Sequence, residues 1–179
     1  MKKIISLSLA LMLIIGCMFM FTGCTSDGPG VNEGYKSFNN GTISFDYPEA
    51  WMNIPFVESF TGVSMIMDLE GSGNNINVNR IARSDDYMDI PDVDAFMELM
   101  GPELEAQGLT ISNPEMEKGT TNGLNYVYLS FDSAMSEVPM HQTLIFTSTG
   151  DFTYIITLTE VQHNAAYLDA IISTLSPAK

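Results

Sequence analysis

Residues 42–51 read Thr-Ile-Ser-Phe-Asp-Tyr-Pro-Glu-Ala-Trp, and this stretch decides the kind of fold that we expect. Ile43, Phe45 and Tyr47 alternate with polar side chains, which is the period-two pattern of a strand with one buried face. Pro48 then ends the pattern, because proline has no amide N–H to donate to a neighbouring strand. The stretch therefore predicts a strand whose inner face is largely aromatic.

Similar apolar or alternating patterns recur outward from this stretch along most of the chain. They predict strands near residues 62–69, 75–83, 126–131, 143–147 and 152–159, with Ile155 as a break in the last alternation. Asn122-Gly123 suits the central positions of a type I′ turn, so we expect a β-hairpin there. Residues 148–151, Ser-Thr-Gly-Asp, join the last two predicted strands as a second hairpin.

Two other stretches have apolar residues at the three- and four-residue spacing of an amphipathic helix. These residues are Val93, Phe96, Met97, Met100 and Leu104 within 92–107, and Tyr167, Leu168, Ile171, Ile172 and Leu175 within 164–175. Asp89 or Asp92 can cap the first helix, and Gly108 suits its end. Gly101-Pro102 is expected to kink or divide this helix. Two helices among hairpin-linked strands predict the α+β class, with an antiparallel sheet covered by helices.

The first 23 residues have the features of a secretory signal peptide. Lys2 and Lys3 precede an apolar segment over residues 4–15, and Gly23 stands directly before Cys24. A cysteine after a small residue resembles the lipobox of bacterial lipoproteins, although that pattern usually has leucine where this chain has Phe21. The resemblance implies that the Cys24 thiol receives a diacylglyceryl group and that cleavage makes Cys24 the first residue.

Three alternatives to lipidation at Cys24 stay open. A second lipobox frame ends at Gly16-Cys17, but Met-Phe-Met-Phe would follow it, and this makes a poor exposed linker. Residues 4–22 are long enough to span a bilayer as an uncleaved anchor. An ordinary secretory signal would leave no lipid. We favour Cys24 because residues 25–40 are polar and contain Gly, Pro and Asn, which predicts a flexible tether reaching about 20–24 Å.

Removing the predicted signal peptide sharpens the charge of the chain. The 179 residues contain 22 Asp and Glu against seven Lys and Arg, a formal net charge of −15, and without residues 1–23 the charge is −17. An acidic domain lacks the cations that face phosphates, so a nucleic-acid partner is excluded. With Cys24 acylated, no cysteine pair is left for a disulfide, and we expect one domain over residues 41–179 that is stable through its core alone.

The order of these elements resembles the PsbP-like superfamily. The resemblance is carried by residues 43–51, an aromatic strand that closes on Tyr-Pro-x-x-Trp, and by residues 152–159 and 171–175, which look like the family's closing strand and helix. It covers about residues 35–176 and implies an α/β/α sandwich around a central antiparallel sheet. Its motifs are structural, so it implies an accessory or binding domain rather than an enzyme.

The densest charge feature is the acidic run at residues 85–94, Asp-Asp-Tyr-Met-Asp-Ile-Pro-Asp-Val-Asp. Carboxylate oxygens are the ligands that Ca²⁺ prefers, so Ca²⁺ binding is one hypothesis for this run. The spacing is not that of an EF-hand loop, and a helix dipole favours acids at a helix N-terminus without any ion. We expect a loop and a helix start here, and no bound metal or cofactor.

His141 and His163 are expected at the edge of a strand and at the start of a helix. Either could serve as a general base. The sequence contains no Gly-x-Ser-x-Gly elbow and no His-Glu-x-x-His zinc motif, so we expect solvated or capping histidines and no catalytic residue. Trp51, Tyr126 and Tyr128 are the candidate binding surface, although packing in the core or beneath a helix is the explanation that we favour for them.

The sequence therefore predicts a lipid-anchored extracytoplasmic protein of the cell membrane. Its domain is expected to be a non-catalytic accessory or binding module, with the membrane as one partner and an unidentified protein as another. The alternative is a lipoprotein that binds a small solute or a cation such as Ca²⁺.

Overall fold

The structure, a computed structural model, describes residues 28–54, 63–106, 108–135 and 137–178. Within these ranges the strands are β1 (Gly28–Pro29), β2 (Tyr35–Asn39), β3 (Ile43–Pro48), β4 (Met52–Ile54), β5 (Val63–Met67), β6 (Asn75–Ala82), β7 (Thr110–Thr121), β8 (Leu124–Met135), β9 (Val138–Thr149), β10 (Phe152–Glu160) and β11 (Ser176–Pro177). The helices are α1 (Val93–Ala106) and α2 (Ala165–Thr174). Antiparallel strands dominate, which confirms the predicted α+β class.

Seven strands form one antiparallel sheet in the order β4-β5-β6-β10-β9-β8-β7. Strands β7 to β10 follow one another as hairpins, and β6 pairs with the free side of β10. In the turn between β7 and β8, Asn122 and Gly123 both have positive φ, at 46° and 85°. A type I′ turn requires this conformation, so the hairpin predicted from Asn122-Gly123 is confirmed.

A second, smaller sheet contains the aromatic strand predicted within residues 42–51, which is β3 in the structure. Its order is β1-β2-β3-β11, with β3 paired antiparallel to β2 and to β11. The flexible tether predicted up to residue 40 is therefore wrong from Gly28 onward. Phe38 of β2 is buried and its ring stacks on Phe45 of β3 at 4.9 Å, which gives β2 an apolar contact that a free linker lacks. Among the described residues, paired strands thus begin at Gly28, before the predicted boundary at residue 41.

The two faces of the large sheet are covered by different elements. On one face, Ile156 and Leu158 of β10 belong to a core shared with the small sheet and α2. On the other face, Ile155 of β10 and Phe146 of β9 belong to a core shared with α1. The prediction of an α/β/α sandwich, with helices alone covering both faces of one sheet, is therefore wrong in one respect. One outer layer contains the small sheet as well as α2. Ile155 breaks the alternation because β10 is buried on both faces.

Helix α1 follows its predicted stripe but is not divided at Gly101-Pro102. Its start is capped by Asp92, whose Oδ1 accepts the amide N–H of Ala95 at 2.9 Å. Phe96, Met100 and Leu104 are buried on its inner side. The helix continues through Pro102 because this residue is exposed, so the carbonyl that loses its intrahelical partner can bond to water.

Candidate functional site

Trp51 is placed in the core rather than on an open surface. It is 3 % exposed, and its ring meets Tyr167 of α2 edge-on, with 5.1 Å between the ring centroids. A buried ring in this position anchors α2 to the strands beneath it. Trp51 therefore has no face free to stack on a ligand. Tyr126 is buried in the same core, so of the three residues predicted to form a binding surface only Tyr128 is partly exposed.

Tyr126 and Tyr128 of β8 form what we call the tyrosine pair. Their rings are nearly parallel, at 5°, with 6.3 Å between centroids. Both hydroxyls donate to the Glu117 carboxylate on β7, Tyr128 at 2.9 Å and Tyr126 at 3.4 Å. Burial, and next the hydrogen bond to Glu117, raise the pKa of Tyr128 to about 12, and burial also raises the pKa of Tyr126. Both side chains stay protonated at neutral pH, so they are donors rather than bases.

A glycine makes room for the tyrosine pair. Gly119 lies directly opposite Tyr126 in the ladder between β7 and β8. A Cβ added at Gly119 would stand 2.5 Å from Cζ of the Tyr126 ring, well inside van der Waals contact. The Tyr126 ring therefore lies across the neighbouring strand at the one position without a side chain, and this places its hydroxyl near Glu117.

The acidic run is occupied by structural contacts. Asp85 forms an ion pair with Arg83 at 3.1 Å, and Asp92 caps α1. Between them, Tyr87 is buried and stacks on Phe146 at 4.8 Å, which ties the run to the core beneath α1. Residues 85–94 all lie within the described ranges, and no three of their carboxylates come together as a metal site would need. These contacts support the interpretation of the run as a loop and a helix start. They give no support for Ca²⁺ binding.

The two histidines, by contrast, are brought together with a buried glutamate. Asp132 of β8, His141 of β9 and Glu160 of β10 are direct cross-strand neighbours, so their side chains share one face of the sheet. His163 follows in the loop before α2, and its ring centroid lies 4.1 Å from that of His141. Ligand atoms of His141, Glu160 and His163 all lie within 4.8 Å of one another. We call these three residues the histidine cluster.

The orientation of His141 is set by a chain of hydrogen bonds. Its Nδ1 lies 2.9 Å from Oδ1 of Asp132, whose Oδ2 accepts the side-chain amide of Asn113 at 2.9 Å. Asn113 has a positive φ of 51° where β7 slips register against β8, and this bulge turns its side chain toward Asp132. The hydrogen bonds from Asn113 and then from His141 lower the pKa of Asp132. Ionised Asp132 can only accept, so Nδ1 of His141 is the donor in this hydrogen bond, and Nε2 is the ring nitrogen that could bind an ion.

Glu160 is the buried floor of the cluster. Its side chain has no solvent exposure, whereas that of His163 is half exposed at 49 %. One carboxylate oxygen, Oε1, accepts the backbone N–H of Asn164 at 2.7 Å, and the other, Oε2, lies 3.2 Å from Nδ1 of His163. Asn164 in turn caps α2 by accepting the N–H of Ala166 at 3.1 Å. The cluster thus lies where the end of β10 meets the start of α2, with solvent reaching it past His163.

Sequence reasoning treated the two histidines as separate residues and so missed the cluster. His141 was expected at the edge of a strand, but it lies within β9, which begins at Val138. Nearness to His163 depends on the register of β9 against β10 and on the short loop after Glu160. A strand alignment of the predicted hairpin at residues 148–151 is the signal that could have found it, because this alignment sets Glu160 opposite His141.

The predicted anchor lies outside the described residues. Both Cys17 and Cys24, with the whole signal segment, precede Gly28. Among the residues that the structure describes, no helix is long and apolar enough to cross a membrane.

Comparisons with known proteins give only a remote likeness. No protein-family model matches the sequence, and no curated protein matches it. A crystal structure from Bacteroides thetaiotaomicron has a TM-score of 0.48 and 14 % identity over 76 % of this chain, which spans 45 % of that one. LpqN, involved in cell envelope biogenesis of Mycobacterium tuberculosis, has a TM-score of 0.47 and 12 % identity, covering 85 % of this chain and all of its own. PA94, a Pseudomonas aeruginosa protein of unknown function, has a TM-score of 0.41 and 17 % identity, covering 76 % of this chain and 92 % of its own. At these scores, none of the three structures assigns the chain to a family or a function.

Proposed function

We propose that this chain is a bacterial lipoprotein that displays a non-catalytic, PsbP-like accessory domain on the outer face of the cell membrane. The observation that carries the proposal is the N-terminal sequence: Lys2-Lys3, an apolar segment, and Cys24 directly after Gly23. These features together are those of a secretory signal with a lipid-accepting cysteine at its end. A diacylglyceryl group with a further acyl chain holds a protein stably, since a single chain alone is marginal.

The fold supports this proposal through the position of its first strand. β1 begins at Gly28, four residues after Cys24, and pairs with β2 of the small sheet. A lipid on Cys24 would therefore connect almost directly to a folded domain. The PsbP-like assignment rests on the order of the elements, from the aromatic strand β3 that ends at Pro48 to the closing pair of β10 and α2.

Binding is the proposed activity because the tyrosine pair offers donors and not proton acceptors. Tyr128, with a pKa of about 12, does not act as a base at neutral pH, while its hydroxyl and that of Tyr126 are fixed by Glu117. Such paired rings with polar tips suit contact with a protein surface. The proposed partner is a protein of the same membrane, and the partly exposed Tyr128 of the pair is the proposed contact.

The anchor is tested by replacing each cysteine in turn. Cys24→Ala should abolish metabolic lipid labelling and move the protein out of the membrane fraction, whereas the matched variant Cys17→Ala should keep both. Mass spectrometry of the wild-type protein should find an acylated chain that begins at Cys24. Label retained by Cys24→Ala and lost by Cys17→Ala would instead place the lipid at Cys17. Label retained by both variants would show that neither cysteine alone is the site, and a wild-type protein without label would overturn lipidation altogether.

The contact surface is tested with a photo-crosslinking amino acid in the intact, membrane-bound protein. Incorporated at Tyr128, it should give one discrete protein adduct. Incorporated at Leu99, an exposed residue of α1 on the opposite side of the large sheet, it should give none. Equal adducts at both positions, or none at Tyr128, would argue against Tyr128 as the contact.

A second candidate function, cation binding, is favoured by one observation, the histidine cluster. Two imidazoles beside one carboxylate form a ligand set of transition metals such as Zn²⁺, whereas Ca²⁺ takes oxygen ligands alone.

A further inference from the structure

We propose that His141, Glu160 and His163 bind one divalent transition-metal ion of the Zn²⁺ type, with Asp132 positioning His141. The proposal does not depend on the lipid anchor or on the tyrosine pair. It starts from the ligand set, because two histidine nitrogens and one carboxylate oxygen form a three-ligand zinc site with a fourth position left for water.

The first step of the argument is charge. Asp132 and Glu160 bring two carboxylates to this point of the sheet, and Glu160 is completely buried. The lysines and arginines among the described residues make their contacts away from this cluster. Lys36 contacts the Trp51 carbonyl and Lys118 contacts the Met88 carbonyl. Arg80 lies over the Phe152 ring, and Arg83 pairs with Asp85. A buried carboxylate is costly without a compensating cation. A divalent ion would neutralise both carboxylates.

The second step is the hydrogen bonding around His141. A metal-bound histidine usually gives its other ring N–H to a carboxylate, which fixes the tautomer and turns the ring. Asp132 holds Nδ1 of His141 at 2.9 Å and is itself held by Asn113. Nε2 of His141 is thereby left for an ion. This arrangement already has the second layer of contacts that a histidine metal site requires.

The third step is the fit of the other two ligands. Oε1 of Glu160 is fixed by the Asn164 N–H, so Oε2 is the oxygen that can exchange its contact with His163 for an ion shared by both. Ligand atoms around a tetrahedral Zn²⁺ are about 3.3 Å apart, given bond lengths near 2.0–2.2 Å. The present separations of up to 4.8 Å have to shorten, and His163 can do this because it lies half exposed in the loop between β10 and α2.

The test is calorimetric titration of the full-length protein, purified in detergent and stripped of metal with a chelator. Zn²⁺ should bind with one-to-one stoichiometry and raise the unfolding temperature, and Ca²⁺ or Mg²⁺ at the same concentration should do neither. Glu160→Gln keeps the acceptor for Asn164 but removes the charged ligand, so it should weaken Zn²⁺ binding at least tenfold, as should His141→Ala. Asp132→Asn should weaken it about 10–100-fold, the range for a residue that orients a metal ligand.

The control variants separate this site from other ligands in the chain. Glu98→Gln removes one exposed carboxylate from α1 and should leave Zn²⁺ affinity unchanged. The double variant His141→Ala/His163→Ala retains both cysteines and should lose the site. Each variant is first checked for an unchanged far-ultraviolet spectrum and a cooperative melt. Co²⁺ should give visible absorption bands in the wild-type protein that are absent from the double variant.

Two results would overturn the proposal. One is the absence of saturable Zn²⁺ binding by the folded wild-type protein. The other is equal affinity in the wild-type protein and the double variant, which would mean that cysteines or scattered carboxylates bind the ion. Neither result bears on lipid labelling at Cys24, so failure here is distinct from failure of the proposed anchor.

Discussion

The tyrosine pair and the histidine cluster use the same face of the large sheet in opposite ways. At Glu117 one carboxylate meets two hydroxyls that donate to it, and the hydrogen bonding is complete without any further group. At Glu160 and Asp132 two carboxylates meet two imidazoles, and His141 Nε2 is left over. The difference shows that a buried or half-buried carboxylate becomes a candidate metal ligand only when its neighbours are themselves ligands.

The largest expected effect on the free energy of unfolding comes from truncating Glu160, the buried residue of the histidine cluster. Glu160→Ala removes the acceptor of the Asn164 N–H and of His163, and should lower the free energy of unfolding by about 2–3 kcal/mol because hydrogen bonds to a charged acceptor are lost. Glu160→Gln should cost much less, since its amide oxygen can still accept from Asn164. Denaturant unfolding measures the free energies of both variants, with Glu98→Ala, at an exposed position of α1, as the control. Equal losses for the Ala and Gln variants would show that the cap contact is unimportant.

A smaller loss is expected from crowding the tyrosine pair. Gly119→Ala places a methyl group 2.5 Å from Cζ of Tyr126, so the ring must move, at a cost of about 2 kcal/mol, the usual size for overpacking. Gly28→Ala is the matched control, because no atom lies within 4 Å of its added Cβ. Thermal melts of the two variants give the comparison. An unchanged melt for Gly119→Ala would mean that Tyr126 has room to turn away.

Removing one donor from Glu117 should matter less again. Tyr128→Phe deletes the 2.9 Å hydrogen bond and should lower the free energy of unfolding by about 1 kcal/mol, the value of an ordinary hydrogen bond. Tyr35→Phe serves as the comparison, because the Tyr35 hydroxyl has only a 3.5 Å contact with the Ala166 carbonyl. Urea unfolding at neutral pH can resolve this difference. A larger loss in Tyr35→Phe would reverse the ranking of the two contacts.

The smallest effect is a pH dependence at the alkaline end. The pKa of Tyr128 is about 12 in the folded protein against an ordinary value of 10. As the pH rises, the unfolded chain therefore loses the Tyr128 proton before the folded protein does. The stabilisation that comes from the protonated hydroxyl is intact below about pH 10 and is lost as the pH rises toward 12. Ultraviolet titration of tyrosinate should show several late components in the wild-type protein, because burial also raises the pKa of Tyr87 and Tyr126, and Tyr128→Phe should remove one of them. An unchanged late amplitude in Tyr128→Phe would contradict the raised pKa of Tyr128.

Most of the large sheet could be predicted because its strands carry their own signals. Alternation marked the segments that became β5, β6, β8, β9 and β10, and Asn122-Gly123 marked a turn whose φ values only such residues adopt easily. β7 gave no such signal. It is an edge strand with a register slip between Ser112 and Glu115, and these two features tolerate Pro114 and a run of exposed polar residues.

The parts that failed depend on contacts between distant segments. Residues 35–39 look like a linker by composition, and only Phe38 packing on Phe45 makes them a strand. Trp51 gave an ambiguous signal, which its contact with Tyr167 of α2 resolves as packing. The histidine cluster joins residues from β9, β10 and the loop before α2, so only the strand register of the hairpin at residues 148–151, and no local motif, could indicate it.

The early start of β1 has a consequence for how the protein would search for partners. Four residues from Cys24 to Gly28 extend at most about 14 Å, less than the 20–24 Å average of a sixteen-residue tether. With a lipid on Cys24, the domain would stay within a thin layer beside the headgroups and rotate about a nearly fixed pivot. A partner in the same membrane would then meet it by lateral diffusion in two dimensions, at a high effective concentration. Lengthening the segment before Gly28 by a Gly-Ser insert would dilute that encounter while leaving every contact in the domain unchanged.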